Sequence, residues 1–99
     1  MQLEKLIANR KPASEMLSVM GNPKRLAVLF CLMEGELSFG ELAERTGLSQ
    51  SSLSQQMVIL RLLKFVRTRR DGHFVHYLLI AQPAISLLKT LEQIYFADE

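Results

Sequence analysis

From Ser49 to Gln56 the chain reads Ser-Gln-Ser-Ser-Leu-Ser-Gln-Gln, a run of short, uncharged hydrogen-bonding side chains interrupted only by Leu53. Such groups donate and accept without fixed charge, which is the chemistry that reads base edges and touches phosphates. A second cluster follows at Arg67, Arg69 and Arg70, with His73 beside it. Guanidinium cations pair with phosphate and release counterions when they do, so their contribution depends on salt. Catalytic chemistry finds no comparable foothold. No nucleophile stands at useful spacing from a base and no glycine-rich phosphate loop or metal-ligand cluster is visible, so neither an enzyme nor a bound cofactor or metal is expected.

The polar run lies on the second of two short helices. Gly47 stops the first helix, because a left-handed terminal residue is cheap only without a Cβ, and Ser49 caps the next. Leu42, Ala43 and Thr46 line one face of the first helix, and Leu53, Met57 and Leu60 line one face of the second. The opposite face of the second then shows Gln50, Ser51, Ser52, Ser54, Gln55 and Gln56, with Ser49 at its head. Ser38 with Glu41 makes a capping box that starts the first helix, so residues 38–63 read as a helix-turn-helix. Taken alone, the polar face also fits an ordinary solvated helix surface, the lesser of the two readings.

Beyond this pair the period changes to alternation. Residues 65–79 are rich in β-branched and aromatic side chains around Asp71-Gly72, a strong hairpin signal. A two-residue turn there pairs Val66 with Tyr77 and Thr68 with Val75, and places Arg67, Arg69, Phe74 and His76 on the other face. The arginines suit phosphate or minor-groove contact, although charge on an edge strand also serves to block aggregation.

The remaining segments frame these two. Leu3, Leu6 and Ile7 predict a short N-terminal helix, broken where Pro12 disfavours helix at Lys11. A helix over 12–20 buries Met16, Leu17 and Met20, and Pro23 opens another to about Met33, with Leu26, Leu29, Phe30 and Met33 on one face. From Pro83 to Phe96, apolar residues Ala84, Leu87, Leu88, Leu91, Ile94 and Tyr95 make one broad face. That face exceeds what a small domain covers, so residues 1–20 and 83–96 are expected to form a symmetric dimer. Its interface would comprise Leu6, Met16, Leu17, Met20, Leu87, Leu88, Leu91, Ile94 and Tyr95. The alternative is that the last helix caps its own core.

With 99 residues and 48% hydrophobic composition, a single domain over 1–99 is expected. The net charge of +2 is modest, so any nucleic-acid argument rests on where the cations lie. Cys31 is the sole cysteine, which excludes an internal disulfide, and no signal peptide or long apolar span is visible. A soluble, cytoplasmic chain without membrane contact is the expectation.

Taken in order, these elements make a mainly α fold with a small β-hairpin wing, a winged helix-turn-helix. At this point the chain resembles the ArsR/SmtB family of small dimeric bacterial repressors over roughly residues 12–96. The resemblance is carried by Asn22-Pro23-Lys24-Arg25-Leu26, Gly40-Glu41-Leu42-Ala43, Leu48 to Met57, Arg69-Arg70-Asp71-Gly72 and Val75-His76-Tyr77. Gln56 departs from the His that many relatives carry.

The resemblance implies release of operator DNA when a metal ion or thiol oxidant changes the dimer. The arsenic-type site needs cysteines where this chain has Ser38 and Gly40, and the zinc-type site needs Asp, His and Glu on the last helix, which offers only Glu92. The closest resemblance is to the HlyU/BigR/YgaV-like thiol-sensing branch, whose paired cysteines align with Phe30 and Phe96. Cys31 falls one position late, a rotation of about 100° on a helix. Two aromatics are therefore expected to fill the sensor gap, and no small-molecule or metal effector is assigned.

The function so read is a dimeric, sequence-specific transcriptional regulator, a repressor or anti-silencer, whose partner is double-stranded DNA carrying an inverted repeat. The 50–63 helix would enter the major groove, and the 66–78 wing would lie on the backbone or minor groove. A winged-helix protein-interaction module without DNA binding is the competing class.

Overall fold

In the computed structural model, which describes residues 1–96, the elements run α1 (Leu3–Ala8), α2 (Arg10–Met20), α3 (Pro23–Leu32), β1 (Leu37–Ser38), α4 (Phe39–Thr46), α5 (Gln50–Leu62), β2 (Val66–Asp71), β3 (Phe74–Leu79) and α6 (Gln82–Phe96). Residues 97–99, the end of the expected domain, lie outside the described residues. The mainly helical winged architecture is the expected one.

Local chemistry explains most boundaries. Asn22 caps α3 by accepting from the backbone N–H of Lys24 at 3.0 Å and of Arg25 at 3.1 Å, with Pro23 pre-set in the first turn. Ser38 and Glu41 form the expected capping box on α4. Gly47 ends α4 at φ 70, and the Thr46 hydroxyl, which donates to Leu42 O, accepts from Leu48 N and so ties down the turn into α5. Ser49 then caps α5 by accepting from Ser52 N at 3.1 Å.

Helix α2 begins earlier than the proline suggests. Lys11 is helical because Pro12 falls in the first turn, where a missing N–H costs no intrahelical bond. Helix α5 ends without glycine. Lys64 adopts φ 61, Phe65 N donates to Leu60 O at 2.9 Å, and Lys64 N donates to Arg61 O at 3.1 Å, a Schellman closure sealed by buried Leu60 and Phe65.

The core joins Val28, Leu29 and Leu32 of α3, Leu42 of α4, Leu53, Met57 and Leu60 of α5, and Val66 and Leu79 of the wing. Phe30, expected on the buried face of α3, instead points outward, because Val28 and Leu32 take the inner positions.

The wing contains a strand that the sequence pattern did not signal. The sheet order is β1-β3-β2, with Leu37 opposite Tyr77 and Ser38 opposite His76. The hairpin register also differs from expectation. Val66 pairs with Leu79 and Thr68 with Tyr77, since the turn residues are Gly72 and His73, and Asp71 is the last paired residue, opposite Phe74. Gly72 carries the positive φ of 61 at the first turn position, where a II′ turn requires it. The register has moved by two residues, so every side chain keeps its expected face.

Candidate nucleic-acid interface

The α4–α5 motif is held by fully buried Leu42, Leu53 and Leu60, and this sets which side of α5 looks outward. Ser49, Gln50, Ser51, Ser54 and Gln55 are exposed and form a continuous polar surface over the first turns of α5. Two residues expected beside them do not belong there. Gln56 is only 7% exposed, on the same side as Leu53, Met57 and Leu60, and its Oε1 accepts from Arg25 Nη1 at 3.4 Å. Ser52 stands one turn before Gln56, and its hydroxyl is buried with no partner among the described residues. Helical period decides this: residues 52, 53, 56, 57 and 60 make one inward stripe, so the uncharged run divides between two faces.

The same geometry exposes a residue that composition concealed. Val58 is 54% exposed and shares an open surface depression with Ser54, Gln55 and Ile59. Its spacing from Ser54 and Gln55 was the available signal, and a branched methyl group beside amides suits contact with a thymine methyl.

Arg25 connects three helices. From α3 its Nε donates to Val19 O near the end of α2 at 2.8 Å, while Nη1 reaches Gln56 on α5. The buried amide of Gln56 thus has a partner, and α5 is linked to the end of α2.

On the wing, Arg67, Arg69, Arg70 and His73 are all exposed. Arg69 differs from the others because it is engaged. Its Nη2 donates to Glu36 Oε1 at 2.6 Å, and its Nε donates to Oε1 at 3.0 Å and Oε2 at 3.1 Å. His76 Nδ1 lies 4.0 Å from the same Oε1. The hydrogen bonds from Arg69 hold the Glu36 carboxyl below the usual carboxylate range, and the carboxylate raises Arg69 in turn. Phe74, near the wing tip, is 66% exposed.

The expected dimer residues divide as well. Leu6, Leu17, Leu87, Ile94 and Tyr95 are exposed, and Met16 and Leu91 are half-buried. Met20 and Leu88, expected at the dimer interface, are instead buried in the chain's own core, since α2 and α6 each turn one apolar edge inward. Between α3 and α6 runs an open groove of ≈ 700 Å³ lined by Leu26, Phe30, Met33, Leu91, Tyr95 and Phe96, with Glu34 and Glu92 on its walls. Phe30 and Phe96 share this groove but do not fill it, contrary to expectation. Cys31 is half-buried and not among its walls, and burial pushes its thiol pKa up. Among the described residues no three His, Cys, Asp or Glu side chains group so as to hold a metal ion, and no helix is long and apolar enough to cross a membrane.

A capped two-helix motif with a polar outer face, followed by an arginine-bearing hairpin, defines the winged helix-turn-helix class. A sequence profile for "Bacterial regulatory protein, arsR family" matches residues 22–68. The chain is 42% identical over 86 residues to nodulation protein NolR of Rhizobium meliloti, covering 87% of this chain and 70% of that protein. It is 37% identical over 95 residues to transcriptional activator HlyU of Vibrio cholerae, covering 96% and 88%. The crystal structure of the transcriptional repressor BigR from Xylella fastidiosa superposes with a TM-score of 0.92 at 34% identity, over 96% of this chain and 97% of that one. The protein belongs to the ArsR family of DNA-binding transcriptional regulators.

Proposed function

We propose that this chain is a homodimeric, sequence-specific regulator that reads an inverted repeat, with α5 in the major groove and the β2–β3 wing along the backbone or minor groove. The observation that carries the reading is the exposed stripe Ser49, Gln50, Ser51, Ser54 and Gln55 at the head of a helix fixed by buried leucines. Arg67, Arg70 and His73 flank it as phosphate contacts. Shape supports pairing: the radius of gyration is 14.8 Å, above the ~13 Å of a compact domain of about this length. Exposed Leu3, Leu6 and Ile7 of α1 and Leu87, Ile94 and Tyr95 of α6 supply apolar surface for a second copy. Repression and activation are both named among its relatives, and either follows from where the operator lies.

The test is selection of bound duplexes from genomic fragments. Enrichment of an inverted repeat with half-site centres about 34 Å apart supports the reading. No retention at low salt would leave a protein-interaction module as the better account, and recovery without a shared sequence would refute the sequence-specific part of the reading.

A further inference from the structure

Arg69, Glu36 and His76 form a lateral tie over one face of the wing, and its geometry assigns Arg69 a task different from that of its neighbours. In the sheet, Arg69 of β2 is opposite His76 of β3, and His76 is opposite Ser38 of β1. Glu36 immediately precedes β1. The Arg69 guanidinium therefore spans the middle strand to reach a carboxylate on its far side, at 2.6–3.1 Å through Nη2 and Nε. This joins the outer strand of the wing to the segment that leads into the Ser38 cap of α4. Few other contacts could do so: β2 has one hydrogen-bonded neighbour, and every residue of it after Val66 is exposed.

We propose that Glu36 and Arg69 are positioning residues for DNA binding. Their ion pair sets the angle of the wing relative to the α4–α5 motif, and Arg69 does not spend its charge on phosphate. The inference rests on the DNA-binding reading above but makes a separate claim of opposite electrostatic sign. A carboxylate on a DNA-facing basic surface ordinarily repels phosphate, so its removal should tighten binding. If Glu36 orients the wing, its removal weakens binding instead.

Duplex binding by the 99-residue chain is measured for wild type, Glu36→Gln, Arg69→Ala, Arg70→Ala and the charge-exchanged Glu36→Arg/Arg69→Glu double variant. The probes are a duplex recovered by the selection above and a random-sequence duplex at low salt, and circular dichroism verifies folding. Glu36→Gln should weaken binding to the selected duplex about two- to fivefold, the range an exposed ion pair supplies. The double variant should recover most of that loss. Arg69→Ala should weaken binding while leaving the slope of log affinity against log salt unchanged, whereas Arg70→Ala lowers the slope by about 0.9. Tighter or equal binding by Glu36→Gln, or a lower slope for Arg69→Ala, overturns the inference while leaving the DNA-binding reading intact. Failure of the wild type to bind either duplex overturns both.

Discussion

Arg25→Ala offers a quantitative test of how α5 is held. Arg25 makes two directed contacts, Nε to Val19 O at 2.8 Å and Nη1 to Gln56 Oε1 at 3.4 Å. Removing it leaves a buried amide oxygen without its partner, which costs about 1–3 kcal/mol. The long 3.4 Å contact places this site at the low end. Loss of the Val19 bond adds about 1 kcal/mol, for a total near 2 kcal/mol. With an m-value of about 1.5 kcal/mol/M for a chain of this size, the urea midpoint should fall by roughly 1 M. In a Gln56→Leu background the orphaned oxygen no longer exists, so Arg25→Ala should cost about 1 kcal/mol less. Urea unfolding of the four proteins, followed by circular dichroism at one fixed protomer concentration, gives the coupling directly. A coupling below about 0.4 kcal/mol, within ordinary additivity error, would refute the view that Arg25 fixes Gln56. Because Gln56 is buried, Gln56→Leu should also retain the preferred DNA sequence, whereas Gln55→Ala should relax it.

Three further expectations concern single sites. Gly47→Ala meets nothing within 4 Å but must hold φ 70, so thermal or urea unfolding should show a loss of about 1–2 kcal/mol from backbone strain alone. Lys64 already bears that strain at φ 61, and Lys64→Gly should stabilise the chain by about 1 kcal/mol, offset in part by the freer unfolded state. Glu36 has a lowered folded-state pKa, so its stabilising pair with Arg69 is complete above the unfolded carboxylate value of about 4.3 and disappears as pH falls through the folded value. Carbon-detected NMR titration should place its midpoint below that value, and Arg69→Ala should return the midpoint toward it.

Much of the interface was legible because it depends on local chemistry. Ser38 with Glu41, Asn22 with Pro23, and Gly47 with Ser49 each satisfy backbone groups within a few residues, and short-range bonds are written in adjacent letters. Lys64 was illegible for the converse reason. Its left-handed conformation is imposed by burial of Leu60 and Phe65 on either side of the closure, and no glycine announces it. The hairpin was located correctly by Asp71-Gly72, yet its register depended on which residue took the first turn position.

What the sequence determined, then, is the set of elements and their chemistry: capped helices, an uncharged polar run, a basic hairpin and apolar terminal helices. The tertiary structure decided which members of each set face outward. Packing of α5 against α3 and α4 turned Ser52 and Gln56 inward and Val58 outward, an outcome fixed by the helix's rotation about its axis. Folding also brought Glu36 to Arg69, across 33 residues of sequence, and so distinguished one wing arginine from two that look the same in the linear chain. Charge and hydrogen-bonding capacity belong to residue types, but the partner each one meets belongs to the fold.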